Sequence, residues 1–282
     1  MASNGWPLPV ETAVRLYPSN PKERHAHRDP ETAACLDGHD GVCFNGKTSG
    51  YYTPGTFQQY VVSPANYVTP IPDGLDSAEA APMLCAGVTV YSALRKSDVQ
   101  SGQWVALLGA GGGLGHLGVQ IASKGMAMRV IGVDADEKKD LVLKSGAEHF
   151  VGLSVGDTVK EVKKLTGGLG VQACLVLTAS NGAYASAPQM IKYGGRVVCV
   201  GLPEGDMKPI ATAFPQRLIA RAQSIVGVAV GDRKEAIEVL EMARRGVVRP
   251  HFRVEKMDKL TQIFEQMEAG KLHGRVVLDL SE

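Results

Sequence analysis

The sequence predicts an α/β fold built on a doubly wound parallel sheet, and two observations lead to this prediction. Short runs of Val, Ile and Leu recur through the second half of the 282-residue chain, and helix-length segments separate most of them. A run that is apolar throughout suits a strand covered by helices on both faces, as in a parallel sheet. A glycine-rich segment also follows the first of these runs, where such a sheet binds its ligand.

The predicted strands of this sheet follow one another between residues 105 and 230. They are Val105 to Leu108, Arg129 to Val133, Ala173 to Leu177, Val197 to Val200 and Ile225 to Val230. Beyond the last strand, the spacing of apolar residues predicts helices at Lys234 to Arg245 and Lys259 to Ala269, followed by a closing strand at Arg275 to Leu280.

The segment before the sheet shows two different patterns. Thr56 to Val68 is aromatic and β-branched, which predicts one or two short strands. Asp76 or Ser77 is suited to cap a helix that runs through Cys85. Val88 to Leu94 continue the helical pattern, so this region predicts a helical lead into the sheet.

The charges of the chain are balanced, with 30 basic and 29 acidic side chains. No basic run resembles a surface for nucleic acid or an anionic membrane, so a small molecule is the expected partner. The N-terminus lacks a charged segment followed by an apolar core, which predicts a cytoplasmic protein. Five scattered cysteines, an odd number, favour reduced thiols or metal ligands over a disulfide framework.

The glycine-rich segment lies between a predicted strand that ends at Leu108 and a predicted helix from His116 to Lys124. Glycines there allow a tight turn, a close approach of the backbone to a pyrophosphate, and tight packing of the helix on the strand. The N–H groups that open the helix then face the anion. The residues of this loop that we expect to contact a dinucleotide are Gly109, Gly111, Gly112, Gly113, Leu114 and Gly115.

A carboxylate, Asp134, ends the next predicted strand, about twenty residues further on, where it can accept hydrogen bonds from ribose hydroxyls. Its charge favours NAD over NADP, although Lys138 and Lys139 reduce that preference; Lys139 is also a candidate cofactor contact. The order of loop, helix and acid predicts a Rossmann domain over residues 95–231. The alternative is a structural glycine turn beside a solvated aspartate.

Several motifs together resemble the medium-chain, zinc-dependent alcohol dehydrogenases of the tetrameric fungal type. They are Gly55 to Tyr60, Ile71 to Gly74, Ala81 to Tyr91 and Gly109 to Gly115. The resemblance covers about residues 35–282. It implies an incomplete GroES-like β-barrel catalytic domain over residues 1–94, with an irregular N-terminus, and a C-terminal part over residues 232–282 that returns to the catalytic domain.

The resemblance also assigns roles to individual residues. Cys85 matches the third ligand of the family's catalytic zinc, and Thr89 would lie near the nicotinamide. Val200 and Gly201 would line the nicotinamide side of the cleft, and Arg275 would contact the pyrophosphate.

The zinc ligands of the family are incomplete in this sequence. A catalytic zinc of this type needs three protein ligands, and Cys85 occurs without the family's Gly-His-Glu motif. Cys35 and Cys43 keep the spacing of the last two structural-zinc cysteines, but Asp29 and Thr32 stand in place of the first two.

The expected function is therefore that of an NAD-dependent oxidoreductase of small alcohols, aldehydes or ketones, with zinc implied by the resemblance but lacking a full ligand set. Two alternatives remain open, a non-catalytic NAD-binding subunit and a zinc-free enzyme like the quinone and enone reductases. A homo-oligomer is expected, paired through the strand at Ile225 to Val230.

Overall fold

The computed structural model describes residues 40–42, 46–63, 68–272 and 274–280. The strands are β1 (Trp104–Leu108), β2 (Arg129–Asp134), β3 (His149–Gly152), β4 (Val171–Val176), β5 (Ile191–Cys199), β6 (Ser224–Gly227), β7 (Phe252–Lys256) and β8 (Arg275–Asp279). The helices are α1 (Ser77–Pro82), α2 (Val88–Lys96), α3 (Gly115–Gln120), α4 (Lys139–Ser145), α5 (Thr158–Leu165), α6 (Asn181–Met190), α7 (Pro215–Arg221), α8 (Arg233–Arg244) and α9 (Leu260–Glu268). Two π-helical turns, Met83–Gly87 and Ile121–Gly125, join α1 to α2 and extend α3.

Strands β1 to β6 form one parallel sheet in the order β3-β2-β1-β4-β5-β6. This is the doubly wound sheet that the apolar runs predict. The chain order reverses between β1 and β4, which leaves a crevice at the carboxyl ends of these two strands. The loop after β1 is the glycine-rich segment, so the candidate ligand loop lies at the crevice.

Apolar residues fill both faces of the sheet. In β1, Val105 and Leu107 pack in one core with residues of α2, α3 and α8. Ala106 and Leu108 point to the other face and pack in a second core with residues of α5 and α6. Alternate residues of a strand face opposite sides, so a strand buried on both sides has to be apolar throughout.

Strands β7 and β8 and helix α9 form a small C-terminal unit. Strands β7 and β8 pair in parallel, apart from the main sheet. Ile263 of α9 packs on Val276 and Leu278 of β8 in a third, smaller core. The spacing of apolar residues predicted helices α8 and α9 and strand β8. The prediction is confirmed to within one or two residues at each end.

Two strands were missed by the sequence patterns. β3 has four residues and begins at a half-exposed histidine, so its apolar run is too short to indicate a strand. β7 is mostly exposed, with Arg253, Glu255 and Lys256 among its five residues. In both cases pairing with a neighbouring strand, rather than local pattern, defines the element.

The predicted strands over Thr56 to Val68 are wrong for the residues that the structure describes there, 56–63 and 68, which form no strand. Tyr60 and Val62 are exposed. A strand requires a neighbour for its N–H and C=O groups, and β-propensity alone does not supply one. β6 is also shorter than predicted, because the chain leaves the sheet after Gly227 and Val230 takes a left-handed φ of 54°.

The helical lead into the sheet is confirmed. Asp76 caps α1 by accepting a hydrogen bond from the N–H of Ala78 at 2.8 Å. In the described ranges, no helix is both long enough and apolar enough to cross a membrane.

The packing of α4 on β2 gives a test of this arrangement. A Cβ added at Gly132 would collide with Cγ1 of Val142, a stiff buried side chain, so Gly132→Ala should lower the free energy of unfolding by about 1 to 3 kcal/mol. As the matched control, Gly182→Ala in α6 places its Cβ 3.5 Å from the Ser180 hydroxyl and should be neutral or slightly stabilising. Urea unfolding of both variants measures the difference, and equal stabilities would contradict the packing.

Candidate functional site

The loop between β1 and α3 requires glycine for steric reasons. Gly109 has a φ of 87°, and its N–H donates to the Val133 carbonyl at 2.9 Å. A Cβ at Gly115 would collide with the Gly109 carbonyl, so the start of α3 packs directly on the turn that leaves β1. A side chain at either position would push helix and strand apart, and the crevice between them would change shape.

Asp134 lies at the end of β2 beside this loop. Its Oδ2 accepts a hydrogen bond from the N–H of Gly111 at 2.7 Å, and its Oδ1 accepts one from the N–H of Ala135 at 2.8 Å. The carboxylate is half-buried. Loop and acid, which the sequence places 23 residues apart, are therefore in direct contact.

The two lysines after β2 differ in position. The stem of Lys138 lies against the loop, since a Cβ at Gly111 would come within 2.6 Å of the Lys138 Cβ. Lys139, the residue named from the sequence, is exposed on α4. Of the two, Lys138 is therefore the one that the fold brings against the loop.

Two peptide N–H groups in the loop are available to a ligand. Among the backbone hydrogen bonds of the described residues, none uses the N–H of Gly113 or Leu114. Both residues are partly exposed. The Arg275 side chain reaches the same place and donates from Nε to the Gly113 carbonyl at 3.3 Å. The loop thus combines unpaired donors with a guanidinium, which suits a diphosphate.

The opposite wall of the crevice follows β5. The N–H groups of Val200 and Gly201 both donate to the Val176 carbonyl, at 3.2 and 2.9 Å. A Cβ at Gly201 would collide with the Thr178 carbonyl, so the ends of β4 and β5 lie in contact. Tyr184 donates its hydroxyl to the Gly201 carbonyl at 2.5 Å, and burial raises the pKa of Tyr184 to about 12. The tyrosine is therefore a neutral anchor for this wall.

Thr178 was not identified from the sequence, yet it joins the two walls. Thr178 follows the end of β4. A Cβ added at Gly109 would come within 3.2 Å of the Thr178 Cβ. Gly201 lies against its carbonyl from the other side. Its position is set by the strand order, which brings the loop after β1 beside the loop after β4.

Cys85 lies in the π-helical turn between α1 and α2, where it is half-buried and forms no disulfide. Its carbonyl accepts a hydrogen bond from the Thr89 hydroxyl at 2.6 Å, and Thr89 is buried. The turn packs against α3 and α8, which places it on the helical face of the sheet core. Single π-helical turns often occur at functional sites.

The described residues do not supply a zinc site around Cys85. They contain no group of three or more His, Cys, Asp or Glu side chains arranged to hold a metal ion. Cys35 and Cys43, the candidates for the structural zinc, lie outside the residues described, as do Asp29 and Thr32.

His116 is a site residue that the sequence did not reveal. It lies in the first turn of α3 and is 1% exposed. Its Nδ1 contacts the Gly112 carbonyl at 3.0 Å, and its Nε2 accepts a hydrogen bond from the backbone N–H of His251 at 3.0 Å. His251 is 135 residues away in the chain, so the sequence does not show this contact. The local signal was a single histidine within an otherwise apolar segment.

The hydrogen bonds of His116 define its tautomer. A backbone N–H can only donate, so Nε2 is unprotonated and the proton resides on Nδ1, which donates to Gly112. Burial lowers the pKa of His116 to about 4, and Arg275 and His251 also oppose a charge on the ring, against the opposite effect of the Gly112 bond. The imidazole is therefore neutral at neutral pH.

This neutral histidine predicts a loss of stability in mild acid. Because the pKa in the folded protein is about 4 and that of an unfolded histidine is about 6.5, the unfolded chain binds the proton more readily. The contribution of His116 is complete above pH 6.5 and declines as pH falls towards 4, by about 1 kcal/mol at pH 5.5. Urea unfolding at pH 7.5 and 5.5 measures this decline.

Two variants isolate the contribution of His116. His116→Asn should show a smaller decrease in the free energy of unfolding between pH 7.5 and 5.5, because the titrating group is gone. His149→Gln removes a half-exposed histidine of β3 and should retain the wild-type decrease. The assignment fails if His116→Asn keeps the full pH dependence.

Comparison with known proteins adds independent information. Residues 113–245 match the zinc-binding dehydrogenase family. Alcohol dehydrogenase 2 of Emericella nidulans is 60% identical over 255 residues, which are 88% of this chain and 70% of that protein.

Solved structures show the same fold. The alcohol dehydrogenase of the hyperthermophilic archaeon Aeropyrum pernix superposes with a TM-score of 0.78 at 31% identity, over 89% of this chain and 72% of that one. The acetophenone reductase of Geotrichum candidum, solved in complex with NAD, superposes with a TM-score of 0.74 at 25% identity, over 88% of this chain and 70% of that one.

Proposed function

Because this chain belongs to the medium-chain, zinc-dependent alcohol dehydrogenase family of oxidoreductases, we propose that it binds NAD in the crevice between β1 and β4. The matches with known proteins confirm the family resemblance that the sequence motifs indicated. The proposal is carried by one observation, the glycine-rich loop whose unpaired N–H groups at Gly113 and Leu114 lie beside Asp134 and Arg275.

Each part of a dinucleotide has a matching group in this crevice. Gly113, Leu114 and Arg275 supply donors for the diphosphate. Asp134 supplies an acceptor for the adenosine ribose, and its negative charge opposes a 2′-phosphate, which favours NAD over NADP. Val200 and Gly201 line the wall proposed for the nicotinamide. When bound, NAD supplies the hydride acceptor for alcohol oxidation.

The proposed substrates are small alcohols and the aldehydes or ketones formed from them. Thr89 and Cys85 are the proposed residues on the substrate side, with Thr89 held by its hydrogen bond to the Cys85 carbonyl. The family's catalytic zinc would polarise the alcohol oxygen, but the described residues contain no group of three side chains that fits it, so we assign it no step. A cofactor-binding subunit without turnover is the second candidate, and the lack of a three-ligand metal group among the described residues favours it.

Substitution of Asp134 tests the proposal. The wild-type protein should bind NADH more tightly than NADPH. Asp134→Ala should weaken NADH binding about 10- to 100-fold, because a hydrogen bond to a charged acceptor contributes about 1.5 to 3 kcal/mol. Calorimetric titration with NADH and NADPH gives both affinities.

Asp140→Ala is the matched control, since Asp140 is an exposed carboxylate on α4, six residues along the chain. It removes the same charge near the site and should leave NADH affinity unchanged. Equal affinity of the wild type for NADH and NADPH would show that Asp134 does not contact the ribose. Absence of binding in either form would refute the proposed function.

Metal content separates the two candidate functions. We expect less than one tightly bound zinc per purified chain, because the sequence offers Cys85 without the Gly-His-Glu motif. Elemental analysis after dialysis measures this ratio. Two zinc ions per chain would contradict the expectation and favour full alcohol dehydrogenase activity.

We also propose that the protein is a cytoplasmic homo-oligomer paired through β6. This strand is at one edge of the sheet, and on its inner side Ser224 to Gly227 pair with Arg196 to Cys199 of β5. Its outer side has no partner strand within the described residues, so a second copy can extend the sheet. Light scattering should give a multiple of 29.9 kDa; the mass of one chain at micromolar concentration would exclude this pairing.

A further inference from the structure

We propose that His116 is a positioning residue for the dinucleotide, because its ring orients the Gly112–Gly113 peptide so that the Gly113 N–H faces the diphosphate. The inference rests on the proposed function and deepens it. It adds a residue of α3 that touches no ligand itself but determines how the loop presents its donors.

The planar peptide bond between Gly112 and Gly113 fixes the direction of the Gly113 N–H relative to the Gly112 carbonyl. The Gly112 carbonyl accepts hydrogen bonds from His116 Nδ1 at 3.0 Å and from the His116 N–H at 3.1 Å. In a trans peptide the C=O and the following N–H point in opposite directions. With its carbonyl held towards α3, the peptide directs the Gly113 N–H away from the helix, and that N–H has no backbone partner among the described residues.

Glycine makes this restraint necessary. A glycine-rich loop has broad conformational freedom, so neither Gly112 nor Gly113 fixes the direction of the peptide between them. The next peptide is restrained in the same way, since Arg275 Nε donates to the Gly113 carbonyl and the Leu114 N–H therefore points away from that side chain. Two side chains thus orient two consecutive donors.

His116 is itself held from the other side. Its Nε2 accepts from the His251 N–H, and the His251 carbonyl accepts from the Arg275 N–H at 2.9 Å. Gly274 has a φ of 72°, and a Cβ there would collide with the His251 carbonyl. A continuous series of hydrogen bonds therefore runs from Gly112 through His116 and His251 to Arg275, and returns to the loop at Gly113.

Gln120 gives an internal comparison. It lies one turn after His116 on α3 and is also buried. Its amide donates to the Arg249 carbonyl and accepts from the Arg249 N–H, both at 3.0 Å. It therefore anchors the same C-terminal segment to α3 as His116 does, but none of its hydrogen bonds reaches the glycine-rich loop.

The two amide substitutions of His116 separate its two contacts. An asparagine amide occupies the position of Nδ1, so His116→Asn retains a donor for Gly112. A glutamine amide extends to the position of Nε2, so His116→Gln retains an acceptor for His251 and loses the contact with the loop. We expect His116→Gln to weaken NADH binding about tenfold, the effect of losing one hydrogen bond, and His116→Asn to remain within about threefold of the wild type.

The ligand distinguishes positioning from general destabilisation. NADH and ADP-ribose contain the diphosphate, whereas adenosine contains the same ribose and no phosphate. His116→Gln should therefore weaken NADH and ADP-ribose binding and leave adenosine binding nearly unchanged. Gln120→Ala should lower the thermal stability and keep the wild-type affinity for NADH. Calorimetric titration of the four proteins with the three ligands gives the full comparison.

Four outcomes would overturn the inference. They are wild-type NADH affinity in His116→Gln, an equal loss for adenosine and NADH, a tenfold loss in His116→Asn, and a loss in Gln120→Ala as large as in His116→Gln. If His116→Gln does not fold, the result for His116→Asn still decides. If the wild-type protein binds no dinucleotide, the proposed function fails instead, and that result is distinct from all four.

Discussion

The close approach of α3 to the end of β1 is the constraint on which the rest of the site depends. Gly109 turns the chain out of the sheet, and Gly115 lets the helix begin in contact with that turn. A helix that starts this close to a strand directs its first N–H groups over the crevice. The loop, the acid of β2 and the wall after β5 are all placed relative to this contact.

The site is assembled from three distant parts of the chain. β1 supplies the loop, β2 supplies Asp134, and the C-terminal unit supplies Arg275. The C-terminal unit has its own small core, and polar contacts with α3 join it to the site, while Val248, just before β7, packs in the first large core.

The site contains both charged groups and neutral hydrogen-bonding groups. Arg275 brings a positive charge to the loop, where the proposed diphosphate is negative. His116 and Tyr184 lie behind the two walls as neutral hydrogen-bonding groups, because burial opposes a charge on either. Neutral anchors orient the backbone without competing with the ligand for charge.

Local patterns in the sequence were sufficient for much of this protein. Apolar runs predicted five of the six strands of the main sheet. The sequence also identified the glycine-rich loop and Asp134, which the structure joins by the hydrogen bond from the Gly111 N–H. These features follow from residues close together in the chain, because a buried parallel strand is apolar throughout and a tight turn needs glycine. The family motifs likewise depend on short segments.

Only the tertiary structure decided the remaining features, because each depends on a partner far along the chain. The His116 contact with His251 spans 135 residues, and the Arg275 contact with Gly113 spans 162. β3 and β7 became strands through their neighbours, while the aromatic, β-branched segment after residue 55 found no neighbouring strand within residues 56–63. A sequence shows which groups can form hydrogen bonds; the fold determines which of them meet.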